Sequence, residues 1–423
     1  MPDTVAERIK MRGGLVAEWN EAFVTRSFPA LGRGQVFLDN AGGSQVAQQV
    51  GDRITQYLFS ANVQLGASYA ASVKAADMVH QGRNALATLL NAERAEEVVM
   101  GATTTQLFDQ LARALVQTWA PGDEVIVTNF DHEANIGPWK KLAKDGIVLR
   151  EWSMRPGAHL PDLEDLAALL TDRTRLVAVT HASNIYGTIN PIRAIADLVH
   201  EAGALLCVDG VAFAPHRAVD VQTLGADFYA FSVYKVYGTH FSALYGRYDL
   251  LLASGNINHS FFPNDKVPQK LEPGNANYEL AYSCVGVIDY LEALAQAHGI
   301  NSEGRAAVEA AFGLVADHEE TLSRQLLSYL KGRPDVKIIG ATEADQALRV
   351  PTVSFVIDGS SSREVVEQVD PIGIGIRYGD FYSRKLVDDL ELPNGDGVIR
   401  VSAVHYNTIQ EIDRLIDVLE NLR

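Results

Sequence analysis

Between residues 73 and 238 the chain alternates short apolar runs with stretches in which apolar residues recur at helical spacing. The apolar runs are bounded by turn residues, as expected of strands buried on both faces. The stretches at 73–90, 107–119 and 193–202 have the period of amphipathic helices. Strands are predicted at 97–101, 124–130, 146–154, 175–181, 203–209 and 226–232. Repeated strand–helix–strand units predict an α/β fold with a mostly parallel sheet and helices on both faces.

After residue 250 the periodicity loosens, and a polar stretch rich in turn residues covers 261–277. The apolar pattern of 278–297 then predicts a long bridging helix. Beyond it the pattern predicts a smaller α+β domain. Its predicted helices are 306–331, 363–369 and 408–422, and its predicted strands are 336–339, 352–356 and 398–402.

The first thirty residues are expected to form an amphipathic helical arm. Its apolar residues are spaced roughly as one helical face: Val5, Ile9, Leu15, Val16, Trp19 and Phe23. The predicted organisation is thus an arm at 1–30 packing with the small domain, a large domain at 31–277, a bridging helix at 278–300 and a small domain at 301–423.

Four chemically apt residues follow predicted strands: His132, Asn184, Asp209 and Lys235. Ligands in parallel sheets bind at the carboxyl ends of the strands, so these residues are expected to share one site. A partly desolvated lysine has a lowered pKa and can form a Schiff base with an aldehyde. An aspartate one βαβ unit earlier can keep the pyridinium nitrogen of pyridoxal phosphate (PLP) protonated. Alone, the lysine could be a solvated surface residue and the aspartate a turn cap; together they favour PLP.

A third pattern suits the phosphate of that cofactor. Thr103 and Gln106 have the spacing of a capping box that opens the helix at 107–119. Free backbone N–H groups and hydroxyls at a helix N-terminus bind phosphate, although most capping boxes bind nothing. The glycine turn at 41–44 either reverses the chain or lets the backbone approach a ligand closely.

Composition limits the classes of partner. The 423 residues carry 36 Lys and Arg against 53 Asp and Glu, a net charge of −17, which argues against nucleic acid or an anionic membrane surface. The N-terminus has no apolar signal core, and no apolar run is long enough to span a membrane. Two cysteines fit a reducing compartment, so a cytoplasmic protein is expected. No His, Cys or Asp cluster has metal-ligand spacing, and no metal site is predicted.

From about residue 37 to 408 the chain resembles the class V aminotransferases of PLP fold type I, in their cysteine desulfurase-like branch. The resemblance rests on an ordered set of segments: 38–41, 103–105, 132–135, 138–139, 183–191, 208–210, 220–221, 227–232, Lys235, 244–247 and 400–402. It implies a large domain with a mostly parallel seven-stranded sheet and a smaller α+β C-terminal domain. It also implies an amino acid substrate.

The resemblance implies a role for each matching residue. Lys235 would carry PLP as a Schiff base and move protons at the substrate Cα, and Asp209 would pair with the ring nitrogen. His132 would stack on the ring, with Asn184 beside the ring oxygen. The phosphate would be held by Thr103, Thr104 and Ser232. The substrate would meet Asn40, Ala41, Asn184, Arg377 and Arg400.

Two of these implied contacts have further consequences. Arg400 would grip the substrate α-carboxylate with its planar fork, unless it is a surface ion pair. The loop at 272–275 resembles one that reaches the phosphate of a neighbouring subunit through Asn275. A homodimer with shared active sites is therefore expected.

Departures from the family pattern bear on the reaction. Tyr382 stands where a desulfurase has its mobile-loop cysteine, Cys207 lies in a predicted core strand and Cys284 on the bridging helix. The histidine before the lysine is replaced by Tyr234, a glutamine by Ala212, and a histidine near 62–63 by Gln64. Formation of a protein persulfide by the usual route is therefore not expected.

Several reactions remain open from the sequence. The first hypothesis is β-elimination from a small amino acid by a carbon–sulfur or carbon–selenium lyase; the alternatives are amino transfer through pyridoxamine phosphate and epimerisation. Tyr234 and Tyr382 are candidate acids, or else packing residues at the edge of the pocket. A PLP-binding protein without catalysis is a further alternative.

Overall fold

The computed structural model describes residues 19–392 and 395–422. In chain order its helices α1 to α14 are Glu21–Ser27, Gln48–Ser60, Ala70–Leu90, Thr104–Leu115, Gly137–Lys140, Leu163–Leu169, Ile192–Glu201, Val221–Leu224, Tyr248–Ala253, Tyr278–Ala297, Gly304–Lys331, Ser362–Val369, Arg384–Asp389 and Ile409–Glu420. Strands β1 to β13 are Val36–Phe37, Val98–Gly101, Glu124–Thr128, Val148–Trp152, Thr174–Thr180, Leu205–Asp209, Phe228–Ser232, Ser242–Gly246, Val336–Ile339, Thr352–Ile357, Ile374–Gly375, Arg377–Gly379 and Val398–Ser402.

A seven-stranded sheet forms the centre of the large domain. Its strand order is β2-β8-β7-β6-β5-β3-β4, and β8 is the strand that runs in the opposite direction to the other six. The predicted mostly parallel sheet is confirmed, and so are its six predicted strands. The seventh strand, β8, was not predicted, because its five residues carry too short an apolar run to separate it from the preceding loop.

Both faces of this sheet are covered, which is why its strands are apolar without alternation. Along β5, Val177 and Val179 belong to the hydrophobic core on one face. Leu176 and Ala178 belong to the core on the other face, which contains the apolar side of α4. The alternation places successive residues in different cores, as the two-residue period of a strand requires.

Helix α10 packs closely against α2 and α3, and glycines make this approach possible. A Cβ on Gly82 of α3 would lie 1.9 Å from the carbonyl oxygen of Ala281 in α10. A Cβ on Gly286 of α10 would lie 2.6 Å from Val50 of α2. No larger residue fits at either contact without separating the helices. The predicted bridging helix at 278–297 is confirmed.

The small domain contains a four-stranded antiparallel sheet of order β12-β13-β10-β9, covered by α11, α12 and α14. The predicted elements at 306–331, 336–339, 352–356, 363–369, 398–402 and 408–422 appear within a few residues of their expected bounds. A short parallel pair joins β1 to β11. Val36 and Leu38 are buried in the small-domain core, although the predicted boundary at residue 31 places them in the large domain.

The described part of the N-terminal arm begins at Trp19. Its indole stacks on the His318 ring, with centroids 4.3 Å apart, and α1 follows with Asn20 as its N-cap. The other predicted arm residues, Val5, Ile9, Leu15 and Val16, lie outside the described residues. None of the helices described has both the length and the apolar character needed to cross a membrane.

Candidate active site

Two adjoining cavities of about 330 Å³ each open at the carboxyl edge of the large sheet. We call one the arginine cavity, since Arg377 and Arg400 line it, and the other the threonine cavity, since Thr103 and Thr104 line it. The residues that line both are Gly42, His132, Asn184, Tyr234 and Lys235. Asp209 lines the threonine cavity. The four residues expected to share one site at the strand ends are thus brought together.

Lys235 is placed by the end of β7. The strand ends at Ser232, and a 3-10 turn over Val233–Lys235 directs the lysine into the junction of the two cavities. Its side chain is buried, and this desolvation, with a contribution from the Arg400 charge, lowers the pKa of Lys235 to about 8. Asp209 and Asp39 oppose this effect. A substantial fraction of the amine is therefore neutral near pH 8, as Schiff-base formation requires.

Asp209 ends β6 at the floor of the threonine cavity. Its Oδ1 accepts a hydrogen bond from the Val211 N–H at 2.9 Å. Burial raises the pKa of Asp209 to about 6, and the Val211 hydrogen bond and the Lys235 charge partly offset this. The carboxylate is thus mostly ionised at neutral pH, which is the form that binds a protonated ring nitrogen.

His132 presents a neutral ring to both cavities. Its Nδ1 accepts a hydrogen bond from the Ala134 N–H at 3.0 Å, so the neutral ring carries its proton on Nε2. Burial, followed by the charges of Lys235 and Arg400, lowers the pKa of His132 to about 3. An uncharged planar ring suits stacking on another aromatic ring.

Hydroxyl groups gather where β7, β8 and α4 meet. The Oγ1 of Thr104 lies 2.7 Å from Ser232 Oγ and 3.3 Å from Ser242 Oγ. Thr103 is the N-cap of α4 and accepts from the Gln106 N–H at 3.1 Å, so this half of the predicted capping box is formed. Hydroxyls beside a helix N-terminus can donate to a phosphate.

Tyr234 lines the threonine cavity together with Thr104 and Ser232. Its ring stacks on His240, with centroids 4.8 Å apart and an interplanar angle of 11°. Burial raises the pKa of Tyr234, and the neighbouring Ser232 hydroxyl partly opposes the rise. Tyr234 lines both cavities, and its role as an acid for a leaving group or for Cα stays a prediction.

Arg400 is buried at the back of the arginine cavity. A terminal nitrogen donates to Asp39 Oδ1 at 2.9 Å, and the guanidinium lies 3.6 Å over the Phe381 ring. Only 2% of its surface is exposed, so the alternative of a surface ion pair is wrong. Its Nε is buried and has no partner among the described residues. Asp39, the partner of Arg400, was not recognised as a site residue, because its carboxylate could not be placed from the sequence.

The segment 380–383 closes one side of the arginine cavity. Asn184 donates to the Phe381 carbonyl at 3.0 Å and accepts from Ser383 Oγ at 2.8 Å. The Glu133 N–H donates to the Tyr382 carbonyl at 2.8 Å. These bonds hold Phe381 and Tyr382 at φ angles of +50° and +61°, a strained pair for residues other than glycine. The ring of Tyr382 borders the cavity, 5.3 Å from that of His132.

Asn40 differs from its expected placement. Its amide donates to the carbonyls of Phe37 and Ser402, both at 2.8 Å, and its carbonyl accepts from the Tyr406 hydroxyl. The side chain lines neither cavity and instead fixes the turn that brings Ala41 to the arginine cavity. The Ala41 N–H is itself bonded to Ser402 Oγ at 2.8 Å.

Asn275 also lies away from both cavities of its own chain. It is exposed, with a φ of +67°, at the tip of the 272–275 loop. The base of the loop is fixed by Glu272, which pairs with Arg83 at 2.7 Å and accepts from the Met100 N–H at 2.6 Å. Asn275 is thus free to contact another subunit, and its predicted role stays a prediction.

The threonine cavity fits PLP by the chemistry of its walls. The buried Asp209 carboxylate lies at the floor, the flat His132 ring at one side, the hydroxyls around Thr104 at the α4 end, and the Lys235 amine at the junction. The arginine cavity adjoins this slot at Lys235 and carries the buried guanidinium of Arg400. Cys207 in β6 and Cys284 in α10 are both buried and line neither cavity.

The fold and this site define a PLP-dependent protein of fold type I. The model of the class-V aminotransferase family matches residues 36–415. The chain belongs to this family, and its cofactor is PLP. An aminotransferase-like protein of Gibberella zeae is 47% identical over 405 residues, which cover 94% of this chain and 97% of that protein.

Two further relatives come from the desulfurase-like branch. A cysteine desulfurase-like protein of Aspergillus flavus is 32% identical over 94% of this chain and 90% of its own length. The crystal structure of a cysteine desulfurase from Escherichia coli has a TM-score of 0.81 and 26% identity, over 95% of this chain and 98% of that one. The predicted family and fold type are confirmed.

Proposed function

We propose that this protein eliminates a leaving group from the β-carbon of a small α-amino acid, without taking sulfur onto the protein. The observation that carries the proposal is the segment 380–383 beside Lys235 and Arg400. Tyr382 stands there in place of the cysteine that a desulfurase uses, and both cysteines of the chain are buried away from the cavities. The residues expected to bind PLP and an amino acid line the two cavities, whereas neither cysteine does.

When bound, PLP supplies an electron sink for the pair left on the substrate Cα. The chain's residues then have separate tasks. Arg400 lines the arginine cavity and binds the α-carboxylate with its guanidinium, which orients the Cα–H bond towards Lys235. Lys235 removes the Cα proton, and Asp209 stabilises the protonated ring nitrogen.

Elimination also requires that the leaving group departs with its electron pair and is protonated. The Cα–H electron pair forms the new double bond to the β-carbon, and the leaving group departs with the electrons of the Cβ bond. Tyr382 lines the arginine cavity and is 72% exposed, and its hydroxyl can protonate the leaving group. Hydrolysis of the unsaturated amine then gives ammonia and a keto acid, and a sulfur or selenium product leaves in free form.

Amino transfer is the second candidate. The relative with 47% identity is named an aminotransferase-like protein. Lys235 serves this reaction equally well, because returning the Cα proton to the cofactor carbon requires the same mobile amine. Epimerisation and cofactor binding without catalysis use the same site, and both would leave the β-substituent in place.

A cysteine-free variant tests the elimination proposal. Cys207→Ala together with Cys284→Ala is expected to keep sulfide release from cysteine within about twofold of the parent, since neither thiol lines a cavity. Lys235→Ala, the matched inactive control, is expected to lose turnover. Loss of release in a folded cysteine-free variant would show that a thiol takes part and would overturn the proposal.

We also propose a cytoplasmic homodimer in which the partner's 272–275 loop reaches the threonine cavity. The proposal is supported by the exposed tip and fixed base of this loop in one chain. Light scattering is expected to give twice the chain mass, and Asn275→Ala is expected to weaken PLP binding. A fully active monomer would contradict the shared site.

A further inference from the structure

A second imidazole, that of His240, borders the threonine cavity. It lies in the 238–241 loop, between the turn that holds Lys235 and strand β8. The Val233 N–H donates to the Phe241 carbonyl at 2.8 Å, which bonds the end of this loop to the beginning of the turn. The backbone that positions Lys235 therefore also holds His240 at the cavity wall.

The ring nitrogens of His240 are not used by the protein. One face of the ring stacks on Tyr234, with centroids 4.8 Å apart and an interplanar angle of 11°. Both nitrogens lie in the plane of an imidazole, so stacking on its face leaves them free to bond. Within residues 19–392 and 395–422, neither nitrogen has a hydrogen-bond partner, and the side chain is exposed. A donor is therefore available to a ligand in the cavity.

The phosphate of PLP requires positive charge that few residues of this cavity can supply. A phosphate monoester carries between one and two negative charges at neutral pH. Among the described residues that line the threonine cavity, the side chains able to carry a positive charge are Lys235, His132 and His240. Lys235 is committed to the Schiff base, and burial keeps His132 neutral by lowering its pKa to about 3. His240 remains.

His240 also lies close to the hydroxyls that suit a phosphate. Ser232 ends β7 and Ser242 begins β8, directly opposite in the antiparallel pair, and their Oγ atoms lie 2.7 Å and 3.3 Å from Thr104 Oγ1. His240 is in the connection between these serines, two residues before Ser242. Two residues span at most about 7 Å of chain, so the His240 backbone lies beside this hydroxyl cluster.

We propose that His240 is a cofactor-binding residue that donates an imidazole N–H to the phosphate of PLP, beside the hydroxyls of Thr104 and Ser232. Those hydroxyls and the N-terminus of α4 offer neutral donors and a partial charge. A protonated imidazole adds a charge-assisted hydrogen bond, which is roughly twice as strong as a neutral one. The stack on Tyr234 fixes the plane in which its nitrogens lie. The inference concerns the cofactor and not the reaction, so it is independent of the proposed elimination.

Binding of PLP and of pyridoxal to the cofactor-free protein tests this inference without turnover. Pyridoxal has the same ring and aldehyde but no phosphate. His240→Phe keeps an aromatic ring for the stack on Tyr234 and removes both nitrogens. It is expected to weaken PLP binding at least about tenfold, the contribution of a hydrogen bond to a charged group, and to keep pyridoxal binding within about twofold. Absorbance of the Schiff base measures both affinities.

Two further variants are controls. His240→Gln keeps an N–H donor without the charge and is expected to keep part of the PLP affinity. His80→Phe changes an exposed histidine of α3 that lines neither cavity, and it is expected to change neither affinity. An unchanged PLP affinity in a folded His240→Phe would overturn the inference. Equal weakening of PLP and pyridoxal would also overturn it, because the effect would then arise at the Lys235 turn and not at the phosphate.

Discussion

Burial of single charged groups determines the chemistry of this site. Lys235, Asp209 and Arg400 are each more than nine-tenths buried. The lysine is shifted towards its neutral form, while the aspartate keeps its charge near neutral pH because its pKa rises only to about 6. The strand ends thus supply to one cavity an amine that can act as a base and a carboxylate that is mostly ionised at neutral pH.

Asp39 gives a prediction at this scale. Its charge raises the pKa of Lys235, so Asp39→Asn is expected to lower that pKa from its present value of about 8. Because the neutral amine captures PLP, the rate of capture by the cofactor-free protein rises with pH through this pKa. Absorbance measurements across pH should therefore show a midpoint near 8 in the parent and a lower midpoint in Asp39→Asn.

The control is Asp380→Asn, since Asp380 lines the same cavity without acting on the Lys235 pKa. Its midpoint is expected to stay with the parent. An unchanged or raised midpoint in Asp39→Asn would show that Asp39 does not set the charge state of the lysine.

At the scale of elements, the sequence predicts those helices and strands whose local pattern of apolar residues is strong. The strands around Asp209 and Lys235 and the bridging helix have long apolar runs or clear periods, so they were found. The helix α2 and the strands β8, β11 and β12 were not predicted. The strands β11 and β12 are two and three residues long, the apolar run of β8 covers only Ala243, Leu244 and Tyr245, and α2 has mixed polarity. These elements form because of tertiary contacts, which override a weak local preference for helix or strand.

The contact between α3 and α10 gives a prediction at this scale. A methyl group on Gly82 would overlap the Ala281 carbonyl, so Gly82→Ala is expected to cost about 1–3 kcal/mol of the free energy of unfolding. Gly313→Ala is the matched control, because it lies in α11 with nothing within 4 Å of an added Cβ. It is expected to stabilise the protein by about 0.5–1 kcal/mol. Denaturant unfolding monitors both, and equal effects would contradict the close helix contact.

At the scale of the whole molecule, the candidate active site is lined by residues of both domains that are far apart in the sequence. Residues from 38–44, the large-sheet rim and the small-domain strands β12 and β13 meet at the two cavities. The sequence pointed to Lys235, Asp209 and His132 because each ends a recognisable strand. It could not show that Asn40 is buried in a hydrogen-bond network or that Asp39 pairs with Arg400, since both depend on contacts over more than 300 residues.

The most direct test of the account is the chemical form of the cofactor after the PLP-loaded protein meets a panel of small amino acids that includes cysteine and its sulfinate. Elimination predicts that the absorbance of bound PLP persists over many turnovers, while ammonia, a keto acid and the free leaving group accumulate in equal amounts. Stoichiometric conversion to pyridoxamine phosphate, with one keto acid released per site and no free leaving group, would contradict elimination and establish amino transfer.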